Sequence, residues 1–183
     1  EGEGEWHARK HGGPKRRVWR KIHLGIDEET LEIRAVEITG SHIGDAPILP
    51  DLLNQIPKEQ KIRSVTADGA YDTRKCHDAI ADRGAYAVIP PRKNGKPWKT
   101  VTAGAVARNE ALRASKYLGR ALWRRWSGYH RRSRVETKMH CVKLLGQHLM
   151  ARDFDRQVAE LHVRIAVLNG YTRLGIPVTE AVG

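Results

Sequence analysis

Tyr129, Arg132, Glu136 and Lys143 stand at i, i+3, i+7 and i+14 in a stretch that reads as helix. At roughly 100° per residue, all four fall within an arc of about 60°. One helix face is therefore expected to present a phenol, a guanidinium, a carboxylate and an ammonium together. A carboxylate can hold a metal ion, and the two cations can grip phosphates. That mixture suits chemistry on a nucleic-acid backbone.

A second carboxylate, Asp68, directly follows a short apolar segment at residues 62–67 that reads as a strand. In open α/β sheets, ligands bind outside the carboxyl ends of the strands. Each acid also has an ordinary role open to it. Asp68 or Asp72 can start a turn or cap a helix, and Glu136 can pair with Arg132 on a helix surface. Taken together, a strand-end Asp and a helix Glu are what a two-metal phosphodiester site requires. Hard oxygen ligands hold Mg²⁺, and two ions clamp the attacking and leaving oxygens. Such a site usually calls for a third carboxylate.

The elements that must position these groups follow from the pattern of the 183 residues. Residues 1–17 are polar, Gly-containing and increasingly basic, and read as a loop. Period-two alternation then predicts a β-hairpin over 18–39, turning at 27–30. Ile48, Leu49, Leu52, Leu53 and Ile56 have helical spacing. Thr73 is placed to cap a helix over 74–82, and Gly84 to end it. A short apolar strand at 86–89 stops at Pro90-Pro91. Residues 91–104 form a basic, Pro/Gly-rich loop whose cations and Trp98 either contact a nucleic-acid strand or only make a solvated connection. Helices fill 105–149, with a break near Ser127-Gly128 and a signature helix over 129–145. A last helix covers 153–173. No second domain is evident. The order predicts α/β, an antiparallel hairpin feeding a sheet that continues through crossover helices.

Composition sets the class of partner. Hydrophobic residues make up 40%, enough for a core. Lys and Arg number 33 against 21 Asp and Glu, a formal charge of +12. Such a surface attracts polyanions, nucleic acid first among them. Only Cys76 and Cys141 occur, which excludes a disulfide framework and a multi-cysteine zinc site and fits a reducing cytosol. No apolar run is long enough to span a membrane.

The pattern Tyr129-x2-Arg132-x3-Glu136-x6-Lys143 resembles the signature around the last carboxylate of bacterial insertion-sequence transposases of the DDE class. Ala67-Asp68-Gly69-Ala70-Tyr71-Asp72 is similar to that family's second-Asp motif. The opening Gly2-Glu3-Gly4-Glu5-Trp6-His7-Ala8-Arg9-Lys10-His11-Gly12 resembles the stretch just after the first catalytic Asp in the IS-five branch. The segment Arg20-Lys21-Ile22-His23-Leu24-Gly25-Ile26-Asp27 and the Gly44-Asp45-Ala46 step fit as well. The resemblance covers essentially the whole chain. It implies a ribonuclease-H-like (retroviral-integrase-like) mixed sheet flanked by helices. It also implies three carboxylates on two Mg²⁺ (or Mn²⁺) ions, and strand cleavage and joining at transposon ends. Asp68 would be the second acidic ligand and Glu136 the third. Arg132 and Lys143 would contact phosphates of the terminal repeat, with Tyr129 packed beside them. Partners would be double-stranded terminal-repeat and target DNA, in a homodimeric synaptic complex in the bacterial cytoplasm, nucleoid-associated.

One part of the pattern is missing. The family's first Asp belongs on a strand upstream of Glu1. Glu1, Glu3 and Glu5 lie in the wrong kind of segment, and Asp27 sits at the far hairpin turn. The expectation is an N-terminally truncated catalytic domain with two of three metal ligands, inactive alone. Two alternatives stay open: a non-enzymatic basic DNA-binding protein, and another ribonuclease-H-like nuclease. Smaller expectations complete the set. His7 and His11 stand at i, i+4 but in loop composition, which favours phosphate contact over zinc. His130, His140 and His148 decorate helix surfaces. Cys76 and Cys141 fill the core. Trp123 and Trp126 are expected to be buried. Arg131, Arg132 and Arg134 crowd one turn, as if an anion visits them.

Overall fold

The computed structural model describes residues 19–175. The Gly2–Gly12 stretch, with Glu1, Glu3, Glu5, His7 and His11, lies outside the described residues.

Two strands, β1 (Arg20–Ile26) and β2 (Ile33–Gly40), pair antiparallel. Ile22 lies opposite Ile38, and Leu24 opposite Val36. Ile22, Leu24 and Ile26 pack with Ile33, Val142, Ile165 and Leu168 in one apolar cluster. The interleaved His23 is buried too, its Nε2 2.9 Å from the Thr39 hydroxyl. Both faces of the hairpin are thus covered, which the alternation alone does not reveal. The Asp27 carboxylate accepts the N–H groups of Glu29 and Thr30 at 2.8 and 2.9 Å and closes the turn.

After the hairpin, a 3₁₀ turn (Ala46–Ile48) leads into helix α1 (Leu49–Asn54). Strand β3 (Ser64–Thr66) runs into a second 3₁₀ turn (Gly69–Tyr71) and helix α2 (Arg74–Asp82). Strand β4 (Tyr86–Val88) pairs parallel with β3. Leu49, Leu53, Cys76, Ile80 and Ile89 form a second core around this pair. The Thr73 hydroxyl caps α2 by accepting from the Cys76 N–H at 3.3 Å. Arg83, just past the end of α2, donates to the carbonyls of Leu53, Ile56, Pro57 and Gln60. One guanidinium thereby satisfies the orphan carbonyls after α1 and ties α1 to α2.

Helices then dominate: α3 (Ala103–Leu118), α4 (Arg120–Trp126), a 3₁₀ turn (Tyr129–Arg132), α5 (Ser133–Leu144) and α6 (Phe154–Leu174). The expected signature helix over 129–145 is corrected here. Gly119 and Gly128 take φ of 78° and 72°, a region open to glycine and closed to most residues. The chain breaks at both, and Tyr129 and Arg132 stand on a 3₁₀ turn rather than on the α-helix that carries Glu136 and Lys143. The expected continuous sheet is also corrected. Among the described residues, β1 pairs only with β2, and β3 only with β4. Trp123 is buried as expected, whereas Trp126 is 72% exposed. His130, His140 and His148 are exposed.

A buried polar cluster lies between α2, α3 and the loop after β4. Asp72, almost wholly buried, receives Arg108 on both oxygens (Nε and Nη2, each 3.1 Å), the Arg92 N–H at 2.9 Å and His77 Nε2 at 3.2 Å. Burial acts to raise the Asp72 pKa. The hydrogen bonds from His77, Arg108 and Arg92 outweigh it and hold the carboxyl well below the usual range. Because the folded-state value is depressed, its contribution to stability is present above about pH 4 and is lost as pH falls toward that value. Asp72→Asn should destabilise the chain by about 3–5 kcal/mol at neutral pH, since Arg108 is left as an uncompensated buried charge. In urea denaturation the gap between the two proteins should narrow below about pH 4; a gap independent of pH would refute this account of Asp72.

Candidate active site

Asp68 is the last residue before the chain turns away from β3. Its Oδ1 accepts the Ala70 N–H at 2.8 Å, so it caps the 3₁₀ turn. The other oxygen takes no part in that cap. Because β3 is parallel to β4, Asp68 lies at the carboxyl end of the pair, where α/β sheets bind ligands. Tyr71 packs beside it. Burial first, then the charges of Asp45, Asp68 and Cys76, push the phenol up to about 12, so it stays protonated at any ordinary pH.

Asp68 lines a cavity of about 650 Å³ between β1 and β3. Ile22, Leu24 and Ile26 line it from the hairpin, and Val65 and Ala67 from the second sheet. Arg131, Arg132, Val135 and Met139 close it from the 3₁₀ turn and α5. It is a slot between two sheet edges. The opposite edge of the hairpin is closed. The Gln55 and Asn169 amides pair with the N–H and C=O groups of Val36 and Ile33, all at 2.9 Å, as edge strands require. No such cover lies on the slot side among the described residues.

Arg132 lines the slot with Asp68 and pairs with the other expected carboxylate, Glu136. It forms an ion pair with Glu136 at 2.6 Å. Burial works against its charge, but Glu136, Tyr129 and Asp68 outweigh it and raise the Arg132 pKa. Glu136 is 59% exposed, so this i, i+4 pair is worth only about 0.3–0.5 kcal/mol. Tyr129 lies between two guanidinium groups, 5.4 Å from Arg124 and 6.0 Å from Arg132, with its ring centroid 6.3 Å from that of Trp123. Lys143 is exposed two turns beyond Glu136 and has no ion-pair partner among the described residues. Asp68 and Arg132 thus share the slot, Glu136 and Tyr129 adjoin it only through Arg132, and Lys143 stands apart along α5.

The arginine cluster has a partner that spacing did not reveal. Arg131 pairs with the Glu28 carboxylate at 2.6 Å, and Arg134 donates to the Glu28 carbonyl. The anion expected at this turn is supplied, for Arg131, by the hairpin itself. Other acids at the slot are likewise occupied. Asp27 serves its own turn, and Asp45 lies 3.5 Å from Lys21 and 3.7 Å from His23.

Two carboxylates are hard donors of the kind Mg²⁺ accepts. Among the described residues, however, no three His, Cys, Asp or Glu side chains group to hold a metal ion. The donor set fits such an ion in kind but does not by itself make a two-ion clamp. No described helix is long and apolar enough to cross a membrane.

No solved structure matches the chain significantly. A family described as Transposase DDE domain matches residues 1–169. With the acidic turn after β3 and the Arg132–Glu136 pair at one slot of a mixed α/β structure, and a match over nearly its full length, this chain belongs to the transposase DDE domain family.

Proposed function

We propose that this domain acts in DNA transposition by metal-dependent cleavage and strand transfer at transposon ends, on a ribonuclease-H-like framework of the IS-five type. The observation that supports the proposal is that Asp68 and Arg132 line the same slot between β1 and β3, with Glu136 ion-paired to Arg132. Asp68 and Glu136 are the proposed metal ligands and catalytic carboxylates. Arg132 and Lys143 bind phosphates of the terminal repeat, and Tyr129 holds Arg132 in place through its ring. The cofactor is Mg²⁺ or Mn²⁺, which when bound polarises phosphate and water oxygens. The third carboxylate enters on a further strand seated in the slot, where the edges of β1 and β3 have no partner strand among the described residues. Without it the site stays incomplete and inactive. Double-stranded DNA is the substrate, and a homodimer brings two ends together.

Arg132 has a defined part in this scheme. In the free protein it neutralises Glu136. When DNA arrives, the guanidinium moves to a phosphate, to which it can donate two parallel N–H bonds. Glu136 is then released toward the Asp68 side. The exchange costs little, because the resting pair is solvent-exposed.

Three outcomes are expected. Calorimetric titration with Mn²⁺ should detect a weak site that disappears in Asp68→Ala; a site of unchanged affinity in that variant would remove Asp68 from the ligand set. With the slot strand supplied, Asp68→Ala and Glu136→Ala should each abolish cleavage of transposon-end DNA while leaving binding largely intact. Cleavage that survives both changes would remove these two carboxylates from the catalytic set. In chelator, Glu136→Gln should bind duplex DNA more tightly than wild type, because Arg132 loses its competing carboxylate. Weaker binding in a fluorescence anisotropy titration would rule out the exchange.

A further inference from the structure

Residues 91–102 contain no helix or strand, yet their backbone is held at many points. Arg120 donates to the Pro91 carbonyl at 2.5 Å. Asp72 accepts the Arg92 N–H at 2.9 Å. Arg108, already bound to Asp72, donates Nη1 to the Lys96 carbonyl at 2.7 Å. The Asn109 amide pairs with both the N–H and the C=O of Trp98, each at 2.8 Å. Arg74 reaches the Lys99 carbonyl at 3.3 Å. The Trp98 ring lies 4.4 Å from the Arg108 guanidinium and 5.2 Å from that of Arg74, with the His77 ring edge-on at 5.4 Å. Gly95 permits the close approach: a Cβ there would meet Arg108 Nη2 at 2.6 Å.

The side chains that this framework leaves in solvent are of one sign. Arg92, Lys93, Lys96 and Lys99 are all exposed, and none forms an ion pair with a described residue. No Asp or Glu occurs between Asp82 and Glu110. The loop also starts beside the candidate site. It leaves the carboxyl end of β4, and a Cβ built on Gly69, next to Asp68, would lie 3.4 Å from the Pro90 carbonyl oxygen. A merely solvated connection has no need of a buried ion pair and five tethers. Four cations on a backbone ordered in advance lose less freedom on binding a polyanion.

We propose that residues 92–99 are a pre-formed contact for the DNA backbone, in which Arg92, Lys93, Lys96 and Lys99 bind phosphates of the duplex beside the Asp68 turn. The contact rests on the DNA reading above and adds a second surface to it, separate from the Arg132 and Lys143 phosphate contacts. Trp98 serves as the floor of the loop rather than as a base-stacking platform, since Arg108, Arg74 and His77 surround its ring. Asp72 and Arg108 act as positioning residues.

The test is the salt dependence of binding to a short non-specific DNA duplex, measured by fluorescence anisotropy in chelator so that no chemistry intervenes. Each phosphate contact contributes about 0.9 to the slope of log K against log salt. The triple variant Lys93→Ala, Lys96→Ala, Lys99→Ala should lower that slope by about 2–3. The comparison variant Lys58→Ala, Arg113→Ala, Lys116→Ala removes equal charge from exposed positions outside the loop and the slot, and should change it by less than about one contact's worth. If the wild-type slope persists in the loop variant, or if both variants lower it equally, the loop assignment is overturned while DNA binding stands. If the wild-type chain itself shows no salt-dependent affinity, the DNA reading fails and the loop proposal fails with it.

Discussion

A carboxylate placed where water cannot reach it dominates the architecture of this chain. Asp72 sits between α2, α3 and the loop after β4, and each of them sends it a donor: His77, Arg108 and the Arg92 N–H. A buried charge is tolerated only when it is paired and its lone pairs are satisfied. The constraint therefore works in both directions. Arg108 must stay in the interior to serve Asp72, and its remaining N–H then holds the Lys96 carbonyl. Around the cluster, His77 Nδ1 has no hydrogen-bond partner among the described residues. Asp72 also stands four residues after Asp68, so the same cluster fixes the far end of the acidic turn. Stability and site geometry share one polar knot.

The rest of the molecule is organised around an opening. Two small apolar cores lie on either side of the slot, one beneath the hairpin and one around β3 and β4. Helix α1 bridges them, and the Glu28–Arg131 pair joins the hairpin turn to the segment before α5. The closed outer edge of β2 makes the contrast plain. Gln55 and Asn169 present amides in place of a neighbouring strand there, while the facing edges of β1 and β3 border the cavity. Asp68, Arg132 and, through Arg132, Glu136 gather at this opening. Charged groups that face a partly enclosed, low-dielectric space interact more strongly than they would in water. The Asp68 charge, after those of Glu136 and Tyr129, acts in the direction that raises the Arg132 pKa.

Much of the local structure was legible from residue order. The hairpin followed from alternation at 22–26 and 33–38. The Thr73 cap and the Gly84 stop placed α2 within its observed bounds, and Asp153 opens α6 as its type suggests. Asp68 was found because a polar residue ends an apolar strand. Arg108 left a trace that was not followed: it lies with Ala105, Asn109 and Leu112 on the buried stripe of α3, and an arginine in such a stripe demands a carboxylate. Glu28 left no trace, since its partner is 103 residues away. The single helix face drawn through Tyr129 and Lys143 failed at its start, where Gly128 and a 3₁₀ turn change the rotation per residue.

What the sequence determined by itself was the set of elements, the caps and the basic charge, because these depend on propensity, period and near neighbours. Tertiary structure alone decided which charges are neutralised and which remain free. Arg131 was given to Glu28 and Arg108 to Asp72, whereas the loop cations were left in solvent. The reason is that Coulomb energy depends on separation and surrounding dielectric, and neither is set until distant segments have packed.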